Sequence, residues 1–214
     1  MSFAVEKSSD LKSFEALFWD FDGVLMSSNE IRDKGFVKVL ASYPESEVEK
    51  LLKFHRENGG LSRYVKFRYF FEEIRGEQIS EEQIQHWADR FSNIMHNMLN
   101  DPDLLINETL EFVKQYSAKV PMFIVSGSDQ SELRNVCETH GIDRFFKRIH
   151  GSPTPKKQWV KTILKEEKLN PERCILIGDS VNDWEAALEN HMHFMGYNND
   201  ALAEKSTAKF NFSN

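Results

Sequence analysis

Only 2 cysteines occur in 214 residues, and neither Cys137 nor Cys174 belongs to a CxxC or Cys/His cluster. That excludes a disulfide-stapled scaffold and a thiolate metal centre, and makes a reduced, cytoplasmic protein the expectation. Proline and glycine are sparse, at 6 and 10 residues, which rules out collagen-like and low-complexity chains. No apolar run reaches the roughly 18 residues of a membrane span. The N-terminal segment 1–12, with Glu6, Lys7, Asp10 and Lys12, lacks the apolar core of a secretory signal, so no membrane partner is expected. Positive charge in excess is missing as well, the formal net charge being −7. Tracking a nucleic-acid backbone takes clustered cations, so no nucleic-acid partner is expected and any phosphate is bound locally. What is present is 40% hydrophobic and 12% aromatic residues, enough to bury a core in one ordinary domain plus a smaller insertion.

Short apolar runs at 16–19, 120–125 and 174–177, with a weaker one at 193–195, have the length and composition of strands buried on both faces. Helical patterns at 108–116, 129–140, 156–168 and 183–190 alternate with them. That alternation predicts an α/β fold with a doubly wound, Rossmann-like parallel sheet. About a hundred residues separate the first two runs, too many for one crossover helix. Within them, stretches at 30–40, 45–56, 62–74 and 81–99 read as four helices. In the last, Ile84, Trp87, Phe91, Ile94 and Met98 recur at steps of three and four, after a Ser80/Gln83 capping box. The expectation is a core made of residues 1–26 and 101–214 and an inserted helical domain, residues 27–100. The aromatic run Tyr64, Phe67, Tyr69, Phe70 and Phe71 reads as the interior of that insertion rather than a base-stacking platform. The tail, 198–214, offers a closing strand or helix around 201–210.

Ligands of open α/β sheets bind beyond the carboxyl ends of the strands. The three strong runs end in Asp20-Phe21-Asp22-Gly23, in Ser126-Gly127-Ser128-Asp129 and in Gly178-Asp179-Ser180-Val181-Asn182-Asp183. If these strands are neighbours, Asp20, Asp22 and Asp179 converge, and crowded carboxylates at the end of an apolar sheet call for a cation. An oxygen-only donor set suits a hard ion, Mg²⁺. Each acid also has a plainer reading: Asp20-x-Asp22-Gly as an Asx-turn, and Ser180-x-x-Asp183 as a capping box that is compatible with metal binding. Ser126 stands before a helix start, where backbone N–H groups favour an anion, though a serine in a tight turn reads the same way. Thr154-Pro155 forms a cap and first-turn pair that puts Lys156 and Lys157 in the opening turn of a helix. There cations oppose the helix dipole, so an anion opposite at least one of them is expected unless both are solvated.

In combination these motifs resemble the haloacid dehalogenase superfamily, in its phosphatase branch with a helical cap inserted after the first motif. The resemblance runs from about Phe14 to Asn199. It implies that Asp20 is a nucleophile forming an aspartyl-phosphate and that Asp22 is the acid and base. It implies that Asp20, the Asp22 backbone carbonyl, Asp179 and Asp183 hold Mg²⁺. Ser126 and the Gly127 amide hold phosphate oxygens, and a lysine bridges nucleophile and phosphate. Relatives place this lysine in a Gly-Lys-Pro stretch, whereas Ser152 takes that slot here. Lys156 is preferred because it leaves Val160, Ile163 and Leu164 on the buried helix face, with Lys157 the alternative. Asp22 separates phosphoryl transfer from dehalogenation, in which the leaving halide takes no proton.

A cap of this kind excludes water and selects the leaving group. Its selecting loop is read as His55-Arg56-Glu57-Asn58-Gly59-Gly60 with Arg63 and Lys66, of which His55, Asn58, Gly60 and Arg63 are the principal candidates; a solvated inter-helix turn is the other reading. The expected activity is Mg²⁺-dependent hydrolysis of a small phosphorylated metabolite, a sugar phosphate or phosphoglycolate-like acid, by a monomer or homodimer. A phosphosugar mutase of the β-phosphoglucomutase type is the alternative, and a non-catalytic phosphometabolite-binding module is a third reading.

Overall fold

The computed structural model describes residues 13–212, so the charged segment 1–12 lies outside the described residues. Five strands form one sheet: β1 (Ala16–Trp19), β2 (Met122–Asp129), β3 (Arg148–Ser152), β4 (Cys174–Gly178) and β5 (His193–Gly196). Their order is β3-β2-β1-β4-β5 and every pairing is parallel. Because side chains alternate along a strand, one face carries Leu17, Trp19, Met122, Ile124, Ile175 and Ile177, and the other Ala16, Phe18, Phe123, Val125, Cys174 and Leu176. The first face is covered by α5 (Asn107–Tyr116) and α6 (Gln130–Thr139) through Leu110, Val113, Leu133 and Val136. The second is covered by α7 (Lys156–Glu166) and α8 (Val181–Glu189) through Val160, Ile163, Ala186 and Ala187. This is the doubly wound sheet the sequence predicts. The chain leaves β1 towards β2 and leaves β4 towards β5, in opposite directions, so the crevice between the ends of β1 and β4 is where ligands of such sheets bind.

β3 is the strand the apolar runs do not reveal. It is an edge strand carrying Arg148 and His150, and its pairing with β2 is irregular between Val125 and Asp129. The helix caps differ in one place: Pro155, not Thr154, occupies the N-cap of α7, and no side chain caps it. The tail forms a 3-10 helix over Asp200–Lys205 and then continues without strand or helix. Its Phe210 and Phe212 pack under the sheet, Phe212 lying 5.8 Å from Trp19 and 5.1 Å from Phe112 between ring centres.

Between β1 and α5 the chain makes α1 (Asn29–Val39), α2 (Glu45–Glu57), α3 (Arg63–Tyr69) and α4 (Glu81–Met98). The expected single helix over 62–74 changes to a π-helical turn at Phe70–Ile74. Phe70 and Phe71, adjacent in sequence, are both buried there. Phe36 meets Phe91 at 4.5 Å and Phe67 at 5.5 Å in the middle of this bundle. Tyr69 stacks on Phe54 at 3.7 Å, and Tyr64 donates to Asp129 Oδ2 at 2.8 Å, so the aromatic run is spent on packing and on one hydrogen bond to the sheet side. α1 and α4 approach closely at Gly35, where a Cβ would fall 2.4 Å from Met95 Cε. The outgoing and returning connections run side by side: Ser27 N donates to Leu104 O at 2.7 Å and Ile106 N to Leu25 O at 3.0 Å. No described helix is long and apolar enough to cross a membrane.

Candidate active site

The ends of β1, β2 and β4 open into a cavity of about 450 Å³ that α1, α3 and the α2–α3 loop cover from the other side. Asp20 follows β1 directly. Its backbone N–H donates to Ile177 O at 2.9 Å, continuing the ladder with β4, and its Oδ1 accepts from Phe21 N at 2.7 Å. Asp179 follows β4, and Asp183 sits in the first turn of α8, where it completes the capping box with Ser180. Ser180 N and Oγ donate to Asp183 Oδ2 at 3.1 and 2.5 Å. One carboxylate oxygen from each of Asp20, Asp179 and Asp183 lies within 4.8 Å of the others.

Lys156 enters this group from the start of α7. It is 3% exposed, its Nζ lies 3.0 Å from Asp20 Oδ1, and it donates to Asp183 Oδ1. Burial opposes its charge, but Asp183 and Asp20 outweigh burial and hold the ammonium above its usual range. Lys157 faces away and pairs with Glu189 on the surface at 3.1 Å. One buried cation does not balance three carboxylates. Burial, and then repulsion from Asp183, push the Asp20 carboxyl well up and that of Asp179 up to about 6. Asn29 Nδ2, 2.9 Å from Asp179 Oδ2, offsets this in part. Gly23, at φ +76°, leaves the space a side chain would fill, since a Cβ there would lie 2.0 Å from Asp179 Oδ2. An oxygen-only, under-neutralised, tightly grouped donor set fits a hard divalent cation such as Mg²⁺.

The folded-state pKa of Asp179 lies above the roughly 3.9 of an unfolded aspartate. Its ionisation therefore destabilises the metal-free fold above about pH 6, and the cost is relieved below about pH 4. In chelator at pH 7, Asp179→Asn is expected to raise stability by about 1–3 kcal/mol. The gain should shrink as pH falls below 6. Thermal melts of the two proteins at pH 7 and 5 check this, and a gain that is absent or grows on acidification contradicts it.

The Asp22 side chain stands apart from the acidic group, which leaves its backbone carbonyl as the atom that the resemblance assigns to the metal. Its Oδ1 accepts from Ser28 Oγ and from Arg32 Nε at 3.1 Å, and its Oδ2 from Ser128 Oγ at 2.5 Å. Burial would raise its pKa, but Arg32 with the Ser128 and Ser28 hydroxyls brings it down to about 2. Arg32 also binds Glu132 of α6, to which Arg63 of α3 donates twice, at 2.8 and 2.7 Å. Glu132 is held below the usual carboxylate range, the two guanidinium groups outweighing its burial. Ser126 is buried beside the cavity, its Oγ accepting from Ser128 N at 3.1 Å, and Gly127 lines the cavity. A Cβ on Gly127 would lie 2.1 Å from the carbonyl oxygen of Gly60, so the α2–α3 loop rests on the end of β2.

Of the loop residues expected to select the substrate, His55, Gly60 and Arg63 line the cavity. Asn58 does not. Its side chain donates to Phe54 O at 2.9 Å and closes the end of α2, an ordinary use of Asn after a helix. Arg63 is committed to Glu132 and to Ser92 Oγ at 2.6 Å. His55 is pushed down to about 3 by burial and by Lys66. Arg32, Ser28, Ser128, Asn29 and Glu132 are site residues that the motifs did not single out. A signal existed for two of them: Arg32 sits four residues before Phe36, and Glu132 beside Leu133 and four before Val136, each a charge on an apolar helix face.

A family model described as haloacid dehalogenase-like hydrolase matches residues 17–197. The chain belongs to that family. Among curated members it is 25% identical over 187 residues to a 5'-nucleotidase of Pseudomonas aeruginosa, covering 84% of this chain and 80% of that one. It is 24% identical over 182 residues to a phosphorylated carbohydrates phosphatase of Thermotoga maritima, covering 81% and 80%. Among solved structures, β-phosphoglucomutase of Clostridium difficile superposes with a TM-score of 0.69 at 21% identity, covering 91% of this chain and 89% of that one. The chain is therefore a haloacid dehalogenase-like enzyme, and its acidic group lies beyond the carboxyl ends of β1 and β4, where open α/β sheets bind ligands.

Proposed function

We propose that this haloacid dehalogenase-like enzyme is a Mg²⁺-dependent phosphatase that hydrolyses a small phosphate monoester, a phosphorylated sugar or phosphoglycolate-like acid, with Asp20 as nucleophile. The observation that carries this reading is the Asp20–Lys156 contact at 3.0 Å, at the end of the central strand and inside the acidic group. An ammonium there orients the carboxylate and offers a charge to an incoming phosphoryl oxygen. Ser126 and the Gly127 amide stand across the same cavity to receive the other oxygens. Asp20 attacks phosphorus, the bond from phosphorus to the leaving oxygen breaks, and water then hydrolyses the aspartyl-phosphate. Asp20, Asp179, Asp183 and the Asp22 carbonyl would hold Mg²⁺, which when bound neutralises charge on the phosphoryl group.

Asp22 serves the two halves of the reaction differently. As the carboxylate seen here it is ready to take a proton from the attacking water. To protonate the leaving oxygen it must first gain a proton, which requires Arg32 and the two serine hydroxyls to release it. The helical insertion, residues 27–100, acts as the cap that closes the site, with residues 1–26 and 101–214 as the catalytic core.

The sugar and acid classes are favoured over a nucleotide because the aromatic rings lining the cavity, Phe36 and Phe91, are both buried in the insertion core, leaving no open ring there for a base. Phosphate release from sugar phosphates, phosphoglycolate and nucleoside monophosphates, with Mg²⁺ and with chelator, tests the reading. Mg²⁺-dependent release from the first two classes is expected. Release from none of the compounds by folded protein overturns it, and bisphosphate-dependent isomerisation in place of release turns it to a mutase.

A further inference from the structure

The insertion side of the cavity holds a charge that the reaction at Asp20 does not use. Lys66, in the middle of α3, lines the cavity and is 4% exposed, yet no hydrogen bond or ion pair engages its ammonium among the described residues. The other cations on this wall have acids. Arg32 is bound to Asp22 and Glu132, Arg63 to Glu132, and Arg56 to Asp33 at 2.8 Å. Of the remaining acids, Glu30 is exposed at the mouth and Glu57 lies 3.9 Å from Lys53. Beside Lys66, His55 Nδ1 is buried without a partner, while its Nε2 lies 3.5 Å from Asp33 Oδ1. A buried, unpaired ammonium is costly and is ordinarily neutralised or paired.

We propose that Lys66 binds a second anionic group of the substrate, a carboxylate or a further phosphate carried by the portion that leaves, with His55 beside it as a second polar contact. The inference rests on the phosphatase reading for the place of the first phosphate. That phosphate is served by Ser126 and Gly127 of β2 and by Lys156 at the start of α7, whereas Lys66 comes from the insertion. A sugar hydroxyl would give Lys66 a hydrogen bond but leave its charge uncompensated; an anion supplies both. Burial, with Arg32 and Arg63 and against the pull of Asp22 and Asp33, brings the Lys66 ammonium down to about 7, a strain that a bound anion relieves.

Matched ligands separate this from a general loss of function. Titration calorimetry on Asp20→Asn protein compares 2-phosphoglycolate with ethyl phosphate, and glucose 1,6-bisphosphate with glucose 6-phosphate. In at least one pair the ligand with the second anion should bind about tenfold to a hundredfold tighter. The pair that does so says whether the second anion is a carboxylate or a phosphate. Adding Lys66→Met should abolish the preference, and Lys66→Arg should keep most of it; both preserve the length of the side chain. Equal affinities within both pairs, or a preference that survives Lys66→Met, overturn the proposal. Phosphate release by the unsubstituted enzyme is scored separately. A Lys66-dependent preference without any release supports the second-anion site and overturns only the phosphatase reading.

Discussion

Asp20→Asn loses turnover by at least about 10³-fold while the protein melts at or slightly above the temperature of the parent; this is the expected result for a carboxylate that forms the covalent intermediate. The amide is isosteric and still accepts from Phe21 N, so the strand end keeps its hydrogen bond. The stability argument has its own sign. Burial, and Asp183 close by, already penalise the Asp20 charge, and removing it leaves Lys156 its bond to Asp183. Phosphate release and a thermal melt on the same preparation check both halves. Residual activity of more than a few per cent removes Asp20 from the nucleophile's role, and a large drop in melting temperature shows that its charge is structural.

Lys156→Met is expected to affect stability and catalysis together. It leaves Asp20 and Asp183 buried with Asp179 nearby and no cation among them, and breaking a buried pair by removing one partner costs about 3–5 kcal/mol. For a chain of this size that corresponds to a fall of roughly 10 °C in Tm. Mg²⁺ should recover more of the lost stability in the variant than it adds to the parent, because in the variant it would be the only positive charge at the site. Lys157→Ala is the contrast: an exposed partner of Glu189 that should change stability by less than about 0.5 kcal/mol. If both substitutions behave alike, Lys156 is not the counter-charge of the acidic group.

The sheet was legible because three of its strands are buried on both faces and read as unbroken apolar runs; β5 is only partly buried and reads more weakly, and β3 is not legible at all. Its Arg148 and His150 lie on an edge where the sheet demands little apolar surface. The positions of Asp20, Asp179 and Ser126 follow from a single rule, that polar residues ending buried parallel strands meet in one crevice; Asp183 and Lys156 were legible as residues of helix first turns. Arg32 and Glu132 escaped that rule because they pair with each other across 100 residues of chain, and a charge on an apolar helix face does not name its partner. Asn58 misled for the opposite reason. In sequence it belongs to a polar loop beside two glycines, and only the folded backbone shows its amide turned inward to Phe54 O.

The ring contacts beneath the sheet bear on how a preparation of this enzyme ages. Trp19 is the last residue of β1, immediately before Asp20, and one side of its indole rests on Phe212, beyond the end of the family match at residue 197. That support hangs on a run with no strand or helix of its own, in which buried residues alternate with exposed ones that a protease can reach. Clipping it would remove the prop behind the strand that ends at Asp20 without touching any residue in the cavity. Such trimmed material would have an intact cavity lining and a loosened central strand, so the intact mass of the chain belongs beside every activity figure.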